Sequence, residues 1–380
     1  MQDVFDVIVI GGGAIGATSA WRLAQTGRRV LLLDKTRLGS EASSAAAGML
    51  GAQLEVAEPG PFYHLCLESR ALYQGFVDEL FDATGIDAQL THNGILHLAY
   101  TAAEAEALQN RRIWQTSAGA KAEWLDSKTV AELEPALSAC LGALLLPDDS
   151  NVYAPLLVQA LAVAAKQTCT VMEGVEVTDI EPHPSHGYTV LTPTGNYAGE
   201  SVVITAGAWA QRLLQPFSTP CAIQPVKGQL LSIRPRHAQR FRHTIFSDDV
   251  YLVPKRDGTV VVGATEEHDA GFNRDVTADA LLSLLSAAHH IAPALKDAVF
   301  ERSWTGLRPG SPNGQPWIGE VAQFPGLHVA VGHFRNGILL SPVTGNMVVK
   351  SVTGEAWPTR WQPFHVAGAA SRGVLQNESR

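Results

Sequence analysis

Two arginines stand in glycine-rich surroundings where a cation needs a partner. Arg335 lies in GHFRNGILLSPVTG, and Arg308 lies in the turn-rich stretch TGLRPGSPNG. A guanidinium group keeps its charge in proteins, so an arginine buried beside such an apolar run needs an anion. The anion is either a bound acid, gripped by two parallel hydrogen bonds, or a carboxylate of the chain such as Glu301 or Glu320. The residues alone leave both alternatives open.

A glycine fingerprint near the start of the chain predicts a dinucleotide site. The β-branched run 7–10 precedes Gly11, Gly13 and Gly16 in G-x-G-x-x-G spacing, and 14–25 then reads as a helix. Gly11 permits a tight turn, Gly13 lets the backbone approach a pyrophosphate, and Gly16 lets helix and strand pack closely. Free N–H groups at the helix N-terminus favour bound phosphate.

The following segments indicate which dinucleotide. The run 30–33 predicts a second buried strand, and Asp34 at its end can accept hydrogen bonds from a ribose 2′-hydroxyl, which favours FAD or NAD over NADP. The small residues of 39–51 read either as an alanine-rich helix, capped by Ser40 or Ser43, or as a surface that a flat ring can approach.

The second half of the nucleotide-binding fold comes late in the chain, which is typical of two-domain flavoproteins. SVVITAGAWA at 201–210 combines a β-branched run with a glycine and a helix start. Further runs predict an antiparallel sheet that forms one wall of a pocket: 229–233, 250–254 and 259–265. The pair Asp257-Gly258 predicts a hairpin between the last two, and 277–289 predicts an amphipathic helix.

The composition excludes several function classes. With 28 basic and 37 acidic residues among 380, the net charge of −9 argues against a nucleic-acid surface, and the basic stretch 234–243 reads as a solvated loop. The four cysteines show no C-x-x-C pair and there is no zinc spacing, so we expect a reducing, cytoplasmic setting without a metal. No apolar run is long enough to span a membrane, and no signal peptide opens the chain.

Six motifs together resemble the FAD-dependent D-amino acid oxidase superfamily and, within it, the bacterial glycine oxidase branch associated with thiamine biosynthesis. They are IGGGAIG, SSAAAGMLGAQ, PVKGQLL, YLVPKRDGTVVVGAT, TGLRPGSPNGQPWIG and GHFRNGILLSPVTG, and the likeness covers about residues 4–349. The resemblance implies non-covalent FAD, a small amino acid substrate, molecular oxygen as co-substrate and a homotetramer. It implies no nucleic-acid or membrane partner.

The implied fold is α/β, or α+β overall: a Rossmann-like FAD-binding domain and a substrate domain on a mixed or antiparallel β-sheet. The FAD-binding domain is expected to be discontinuous, built from 1–88, 147–219 and 306–367. The substrate domain would take 89–146 and 220–305, and 368–380 would form a flexible tail.

The resemblance also assigns site residues. Arg308 would pair with the substrate carboxylate, Arg335 would add positive potential, and the Tyr251 hydroxyl would reach the same carboxylate, with Met49 beside the substrate. Arg308, Arg335 and Tyr251 are also the expected catalytic residues. The expected cofactor-binding residues are Gly11, Gly13, Ala14, Ile15, Gly16, Asp34, Lys35, Ser43, Ser44, Ala47, Gly48, Met49, Val175, Gly207, His333, Phe334, Arg335, Asn336, Gly337, Ile338 and Leu339.

The implied reaction is oxidative deamination of glycine, sarcosine or small D-amino acids. Hydride would pass from the α-carbon to flavin N5, and the products would be a 2-oxo acid, ammonia or an amine, and hydrogen peroxide, with the glycine imine serving thiazole formation. Catalysis would be mainly positioning, with no side-chain base. Two other functions stay open: a D-amino acid dehydrogenase that passes electrons to a quinone, and a flavin-bound module without an amine substrate.

Two positions depart from the pattern of a close relative. Asp249 replaces a histidine, and Glu266 replaces a methionine. Both are expected near the pocket, where an extra carboxylate would repel a substrate carboxylate unless it faces the amine. The preference among glycine, sarcosine and small D-amino acids therefore stays open.

Overall fold

The computed structural model describes residues 4–236 and 241–367. The expected flexible tail, 368–380, lies outside the described residues, as does the middle of the basic stretch 234–243, at 237–240. Within the described ranges, no helix is both long and apolar enough to cross a membrane.

Strands and helices alternate as far as β6, and most strands after it follow one another without an α-helix between them. The strands are Val4–Ile10 (β1), Val30–Asp34 (β2), Met49–Leu50 (β3), Ile95–Ala99 (β4), Glu123–Asp126 (β5), Gly142–Leu146 (β6), Ser150–Asn151 (β7), Thr170–Glu173 (β8), Asp179–His183 (β9), Gly187–Thr192 (β10), Gly195–Ile204 (β11), Gln224–Arg234 (β12), Thr244–Phe246 (β13), Tyr251–Pro254 (β14), Val260–Gly263 (β15), Val299–Gly310 (β16), Trp317–Glu320 (β17) and Leu327–Val331 (β18). The α-helices are Ala14–Gln25 (α1), Ala42–Ala45 (α2), Pro61–Thr84 (α3), Ala102–Ser117 (α4), Ser127–Leu133 (α5), Ala154–Thr168 (α6), Ala210–Leu214 (α7), Ala278–Ile291 (α8) and Gly337–Thr353 (α9). Short 3₁₀ helices occupy Gly207–Trp209, Gln215–Phe217, His268–Ala270, Pro293–Asp297, Phe334–Asn336 and Thr359–Phe364.

The first large sheet is the predicted nucleotide-binding core. Its strands follow the order β17-β18-β11-β1-β2-β8, and β1 lies parallel to both β2 and β11. The apolar runs 7–10 and 30–33 are almost fully buried, as strands covered on both faces must be. Helices α1, α3, α6 and α9 contribute to the apolar core on one face of the sheet. The expected pair of strands with helix Ala14–Gln25 between them is confirmed.

The second large sheet has the order β16-β12-β15-β14-β13-β4-β6-β5. Neighbours in it are antiparallel except β13 and β4, which are parallel, so the predicted mixed sheet is confirmed. The predicted hairpin joins β14 to β15: Asp257 Oδ1 accepts from the Thr259 backbone N–H at 2.9 Å, and Gly258 has φ +84°. Thr277 caps α8, its hydroxyl accepting from the Ala280 N–H at 3.3 Å.

The small-residue segment 39–51 does not form the alanine-rich helix that was one of its two interpretations. Only Ala42–Ala45 is helical, and neither Ser40 nor Ser43 caps it, because its N-cap residue is Glu41. The chain then turns extended, since β3 pairs with β7 and brings Gly48 against the backbone of Val152. Gly48 has φ +83°, which an α-helix cannot contain, and a Cβ there would collide with the Val152 carbonyl, so the turn requires glycine.

Arg308 stands in a long strand, although TGLRPG reads as turn-rich in the sequence. Strand β16 runs from Val299 to Gly310 and pairs with β12, placing Arg308 opposite Val226. The domain boundary expected between residues 305 and 306 falls inside this strand. The residue limits of the two domains therefore stay a prediction.

Gly16, the third glycine of the fingerprint, packs directly against the backbone of Gly11. A Cβ at Gly16 would collide with the Gly11 carbonyl and lie 2.5 Å from Thr205 Oγ1. We expect Gly16→Ala to lower the free energy of unfolding by about 1–3 kcal/mol, as overpacking does.

Urea unfolding of the apo-protein measures this difference. Gly75→Ala in α3 is the matched control, because nothing lies within 4 Å of its Cβ position, and its stability should be equal or up to about 1 kcal/mol higher. Equal stability of the two variants would contradict the close helix–strand contact.

Candidate functional site

A cavity of about 680 Å³ lies between the two large sheets. One side is formed where parallel strands β1, β2 and β11 end, at Ile10, Leu33 and the loop from Thr205. The other side is formed by residues of β12, β14 and β16, including Leu230, Tyr251 and the arginine of TGLRPG. The carboxyl edge of a parallel sheet is where such folds bind nucleotides, because loops and helix N-termini converge there.

The glycine loop has the shape that a pyrophosphate requires. Gly11 has φ +102°, and a Cβ there would lie 2.6 Å from the Thr205 carbonyl oxygen. Gly13 is the N-cap residue of α1 and has no side chain that could cap the helix. The helix therefore presents backbone atoms of its first turn to the cavity. Ser43 Oγ accepts from the Ala14 N–H at 2.9 Å, which ties the small-residue segment to this loop. The residues present therefore fit a dinucleotide.

Asp34 faces the same cavity from the end of β2. Its Oδ2 accepts from the Gly12 N–H at 2.7 Å and its Oδ1 accepts from the Thr36 N–H at 2.8 Å. The Thr36 hydroxyl also donates to Oδ1, at 3.1 Å, so these bonds fix the carboxylate and leave Oδ2 a further lone pair for a ribose hydroxyl. The expected ribose contact stays a prediction that the position of Asp34 allows.

Most of the residues expected to bind the cofactor lie in the cavity wall. These are Gly11, Gly13, Ala14, Ile15, Asp34, Lys35, Ser43, Ala47, Gly48, Met49, Val175, Gly207, His333, Phe334, Arg335, Gly337 and Ile338. Four lie behind it: Gly16 packs on Gly11, the Ser44 hydroxyl donates to Gly39 O, and Asn336 and Leu339 are buried in the protein interior.

An aromatic pair in the wall was missed by the sequence reasoning. Trp209 and Phe272 stack with ring centroids 5.5 Å apart, and Lys35 Nζ lies 3.4 Å from the Trp209 ring centroid. Partial burial lowers the pKa of Lys35. Trp209 belongs to the quoted TAGAWA motif, so a signal existed, whereas Phe272 reaches the wall from a loop of the other sheet.

The GHFRNG segment combines a strained turn with a helix start. Gly332 and Phe334 have φ +77° and +47°, and α9 then begins at Gly337 in the cavity wall. A helix N-terminus favours negative charge on a bound group. His333 is buried, its Nε2 lies 3.0 Å from Thr344 Oγ1, and burial lowers its pKa to about 3. This histidine is therefore neutral at physiological pH.

Arg308 has no acidic partner among the described residues. Its Nη1 donates to the Thr265 carbonyl at 3.0 Å, and its guanidinium fills the space beside Gly228, where a Cβ would lie 2.5 Å from Nη1. The candidate partners lie elsewhere: Glu301 pairs with Arg234 at 2.7 Å, and Glu320 Oε1 accepts from the Gly326 N–H at 2.8 Å. Of the two alternatives stated for Arg308, a bound acid and a carboxylate of the chain, the bound acid is therefore better supported.

Tyr251 stands beside this arginine on β14. Its side chain packs against Gly263 and its residue is 8% exposed, so its hydroxyl lies in the cavity wall away from bulk water. Burial raises the pKa of Tyr251, and the nearby Arg308 and Arg335 cations reduce that shift. A neutral hydroxyl next to a guanidinium offers a donor to an incoming carboxylate.

Arg335 is paired within the chain. Its Nε lies 3.0 Å from Glu55 Oε2 and its Nη1 lies 3.4 Å from Glu266 Oε2. Its side chain is 34% exposed, so the expectation of a buried cation is wrong. Glu55 is the largest of the effects on the pKa of Arg335 and raises it; burial, the next largest, lowers it, and Glu266 raises it further, so that the pKa is raised. Of the two alternatives for this arginine, the structure shows chain carboxylates, although not Glu301 or Glu320.

The two departures from the expected pattern have different positions. Asp249 is exposed in the turn before β14, and neither it nor Glu266 is among the residues that line the cavity. Glu266 contacts Arg335 and, through Oε1, His268 Nε2 at 3.1 Å. Glu55, which lines the cavity, was missed because its neighbours in GAQLEVAE show no motif.

A buried lysine joins the two sides of the cavity. Lys255 Nζ donates to Ala47 O at 2.7 Å, Val152 O at 2.9 Å and Asn151 Oδ1 at 3.0 Å. Burial lowers its pKa to about 7. The three acceptors are neutral oxygen atoms, two of them backbone carbonyls. Through these bonds the side chain of Lys255 links the end of β14 to the small-residue segment and to residues 151 and 152. The sequence marked YLVPKRDG without indicating this role.

Gly337 tests whether the ring lies against the start of α9. The nearest neighbour of its Cβ position outside the local helix is His333 Cβ at 3.8 Å, so the protein itself has room for a side chain. We expect Gly337→Leu to weaken FAD binding at least about tenfold, because the side chain would occupy the cavity. Fluorescence titration of the apo-protein with FAD measures this.

The apo-protein melting temperature separates this effect from misfolding. It should not fall in Gly337→Leu, because leucine favours a helix more than glycine does. Unchanged FAD affinity would contradict the contact.

Known proteins share this architecture. Residues 6–351 match the family model of FAD dependent oxidoreductases. Glycine oxidase of Geobacillus kaustophilus is 40% identical over 368 residues, covering 96% of this chain and 97% of that protein. Its crystal structure superposes with a TM-score of 0.93 at 39% identity, covering 96% of this chain and 99% of the other. The bifunctional protein ThiO/ThiG of Synechocystis sp. is 35% identical over 92% of this chain and 51% of its own length.

The family match spans nearly the whole chain, and the glycine oxidase of Geobacillus kaustophilus aligns over 96% of it, which includes both sheets. The cavity also has the glycine loop that a flavin dinucleotide requires. FAD is the cofactor that the cavity serves. The chain belongs to the FAD-dependent oxidoreductase family, as an FAD-dependent amino acid oxidase.

Proposed function

We propose that this protein oxidises glycine, and amines of similar size such as sarcosine and small D-amino acids, to an imine that water hydrolyses. The products would be the 2-oxo acid, ammonia or an amine, and hydrogen peroxide. The single observation that carries the proposal is Arg308, a cation in the cavity wall for which the described residues provide no carboxylate. A permanent charge in such a place is stabilised by a ligand of opposite charge.

Arg308 and Tyr251 would bind the substrate carboxylate. The guanidinium presents parallel N–H donors, and the bond from Nη1 to Thr265 O holds its plane in one orientation. Tyr251 adds an O–H donor from β14 of the same sheet, and Met49 lies in the same wall. With the carboxylate fixed on one side, the α-carbon of a small amino acid has few orientations left, which is the main contribution that positioning makes to rate.

FAD, when bound, supplies the acceptor for the hydride and passes the electrons to oxygen. The chain then needs no strong base, provided that the amine is neutral when it reacts. His333 is neutral and engaged with Thr344, and Glu55 is held by Arg335, so neither is placed as a free base. The buried wall formed by both sheets would keep water from the reacting carbon, which supports positioning as the mechanism.

The biological setting is also proposed. The glycine imine would feed thiazole formation in thiamine biosynthesis, in the cytoplasm and from a homotetramer. Support comes from the resemblance to the glycine oxidase branch and from the bifunctional ThiO/ThiG relative, which matches this chain over about half its own length.

A peroxide-coupled assay in air tests the reaction. FAD-loaded protein should form peroxide with glycine, sarcosine, D-alanine and D-proline, and anaerobic mixing with the same amines should bleach the flavin absorbance. Bleaching without peroxide in air would favour a dehydrogenase with another electron acceptor. No bleaching with any of these amines would overturn the proposed function.

Replacing Arg308 should remove carboxylate binding. We expect Arg308→Met to lower kcat/KM for glycine at least about 100-fold, equivalent to about 3 kcal/mol for a charge-assisted pair, mainly through KM. Steady-state kinetics measure this, and FAD content should be unchanged. Arg302→Met on the same strand is the matched control, because Arg302 is exposed and contacts Trp304 rather than the cavity. Equal losses in both variants would contradict the assignment.

A further inference from the structure

We propose that Glu55, Arg335 and Glu266, called here the ion cluster, select substrates with a single carboxylate and reject amines with a second negative group. The proposal rests on the proposed amine oxidation and adds the residues that define its substrate class. It concerns a cavity that holds two arginines, either of which could in principle bind an anion.

The donors of Arg335 are already engaged by the cluster. Nε and Nη2 lie 3.0 and 3.3 Å from the two oxygens of Glu55, and Nη1 lies 3.4 Å from Glu266. A guanidinium group recognises a carboxylate best by offering two parallel N–H bonds along one edge. Three of the five N–H donors of Arg335 thus face carboxylates of the chain, and the edge formed by Nε and Nη2 is occupied by Glu55, so a substrate carboxylate would compete with acids that are already bound.

The charges of the cluster do not cancel. Two carboxylates surround one guanidinium, which leaves the cluster with a net charge of about −1. Glu55 lies furthest inward, with 11% of its side chain exposed, and Glu266 lies outward at 36%. His268 contacts the outer oxygen of Glu266 from a side chain that is 54% exposed, and it adds charge only when protonated. A second anionic group on a substrate would therefore meet like charge here.

Arg308 and the ion cluster thus divide the cavity by charge. Arg308 has no acidic partner among the described residues and accepts one substrate carboxylate. The ion cluster borders a different part of the wall, the part that contains Glu55 and Arg335. A neutral or cationic substituent on the amine or the α-carbon is compatible with this arrangement. Because Glu266 comes from the loop after β15 and Arg335 from the turn before α9, the selectivity depends on both sheets.

The test compares sarcosine with iminodiacetate, which differ only in that a carboxylate replaces one hydrogen of the N-methyl group. D-alanine and D-aspartate form a second pair of the same kind. For the FAD-loaded protein we expect the second-order rate constant of anaerobic flavin reduction, the limiting reduction rate divided by the Kd of the amine, to be at least about 100-fold higher with the single-carboxylate member of each pair. In Glu266→Gln, which frees Nη1 of Arg335 and removes one charge, this preference should fall at least about fivefold.

Glu301→Gln is the matched control. It removes the same charge from an ion pair with Arg234 on strands β12 and β16 but outside the cavity wall, so the preference should stay as in the unmodified protein. The proposal is overturned when the unmodified protein uses both members of each pair equally well. It is also overturned when Glu266→Gln and Glu301→Gln show the same preference.

A binding measurement keeps this inference separate from the proposed function. Acetate and malonate carry one and two carboxylates and can be titrated against the flavin absorbance without any turnover. The unmodified protein should bind acetate more tightly than malonate, and Glu266→Gln should narrow the difference. Failure of every amine to bleach the flavin, with this order of binding intact, would refute the proposed function and leave the ion cluster supported. The reverse result would refute the ion cluster alone.

Discussion

The permanent charge of arginine is the constraint on which the site depends. Two guanidinium groups lie in one cavity wall and differ in their partners among the described residues: Arg335 pairs with Glu55 and Glu266, whereas Arg308 contacts the Thr265 carbonyl and the Tyr251 hydroxyl but no carboxylate. Since neither group can lose its proton, the proposed substrate carboxylate would meet a cation without an acidic partner at Arg308 and a paired cation at Arg335. On this proposal one end of the cavity would accept a carboxylate and the other would disfavour it.

That asymmetry requires a fixed position of one sheet relative to the other, and three contacts provide it. Lys255 joins the end of β14 to the segment around Ala47, and Trp304 Nε1 on β16 donates to Ala45 O at 2.9 Å. Arg274 pairs with Glu41 at the outer side of the same segment. Each tie ends on the small-residue stretch, so a segment that looks featureless in sequence is where both halves of the cavity are positioned.

The parts of the fold governed by local rules followed from the sequence. Helix Ala14–Gln25 begins and ends where the glycines predict, and the hairpin at Asp257-Gly258 forms because that turn needs a residue with positive φ. The stretch 39–51 and TGLRPG did not follow local rules. Pairing of β3 with β7 and of β16 with β12 decides their conformation, and both partners are distant in the chain.

The sequence by itself determined the nucleotide-binding loop, the family and the residue types of the site, because each is encoded by spacing over a few tens of residues. It predicted Arg308, Tyr251 and most of the other expected site residues, which the structure brings together in the wall of one cavity, while their roles stay a prediction. Only the tertiary structure decided which arginine is free. Glu55, Glu266 and Arg335 are up to 280 positions apart in the chain, and ion pairing depends on distance in space, which short-range patterns do not contain.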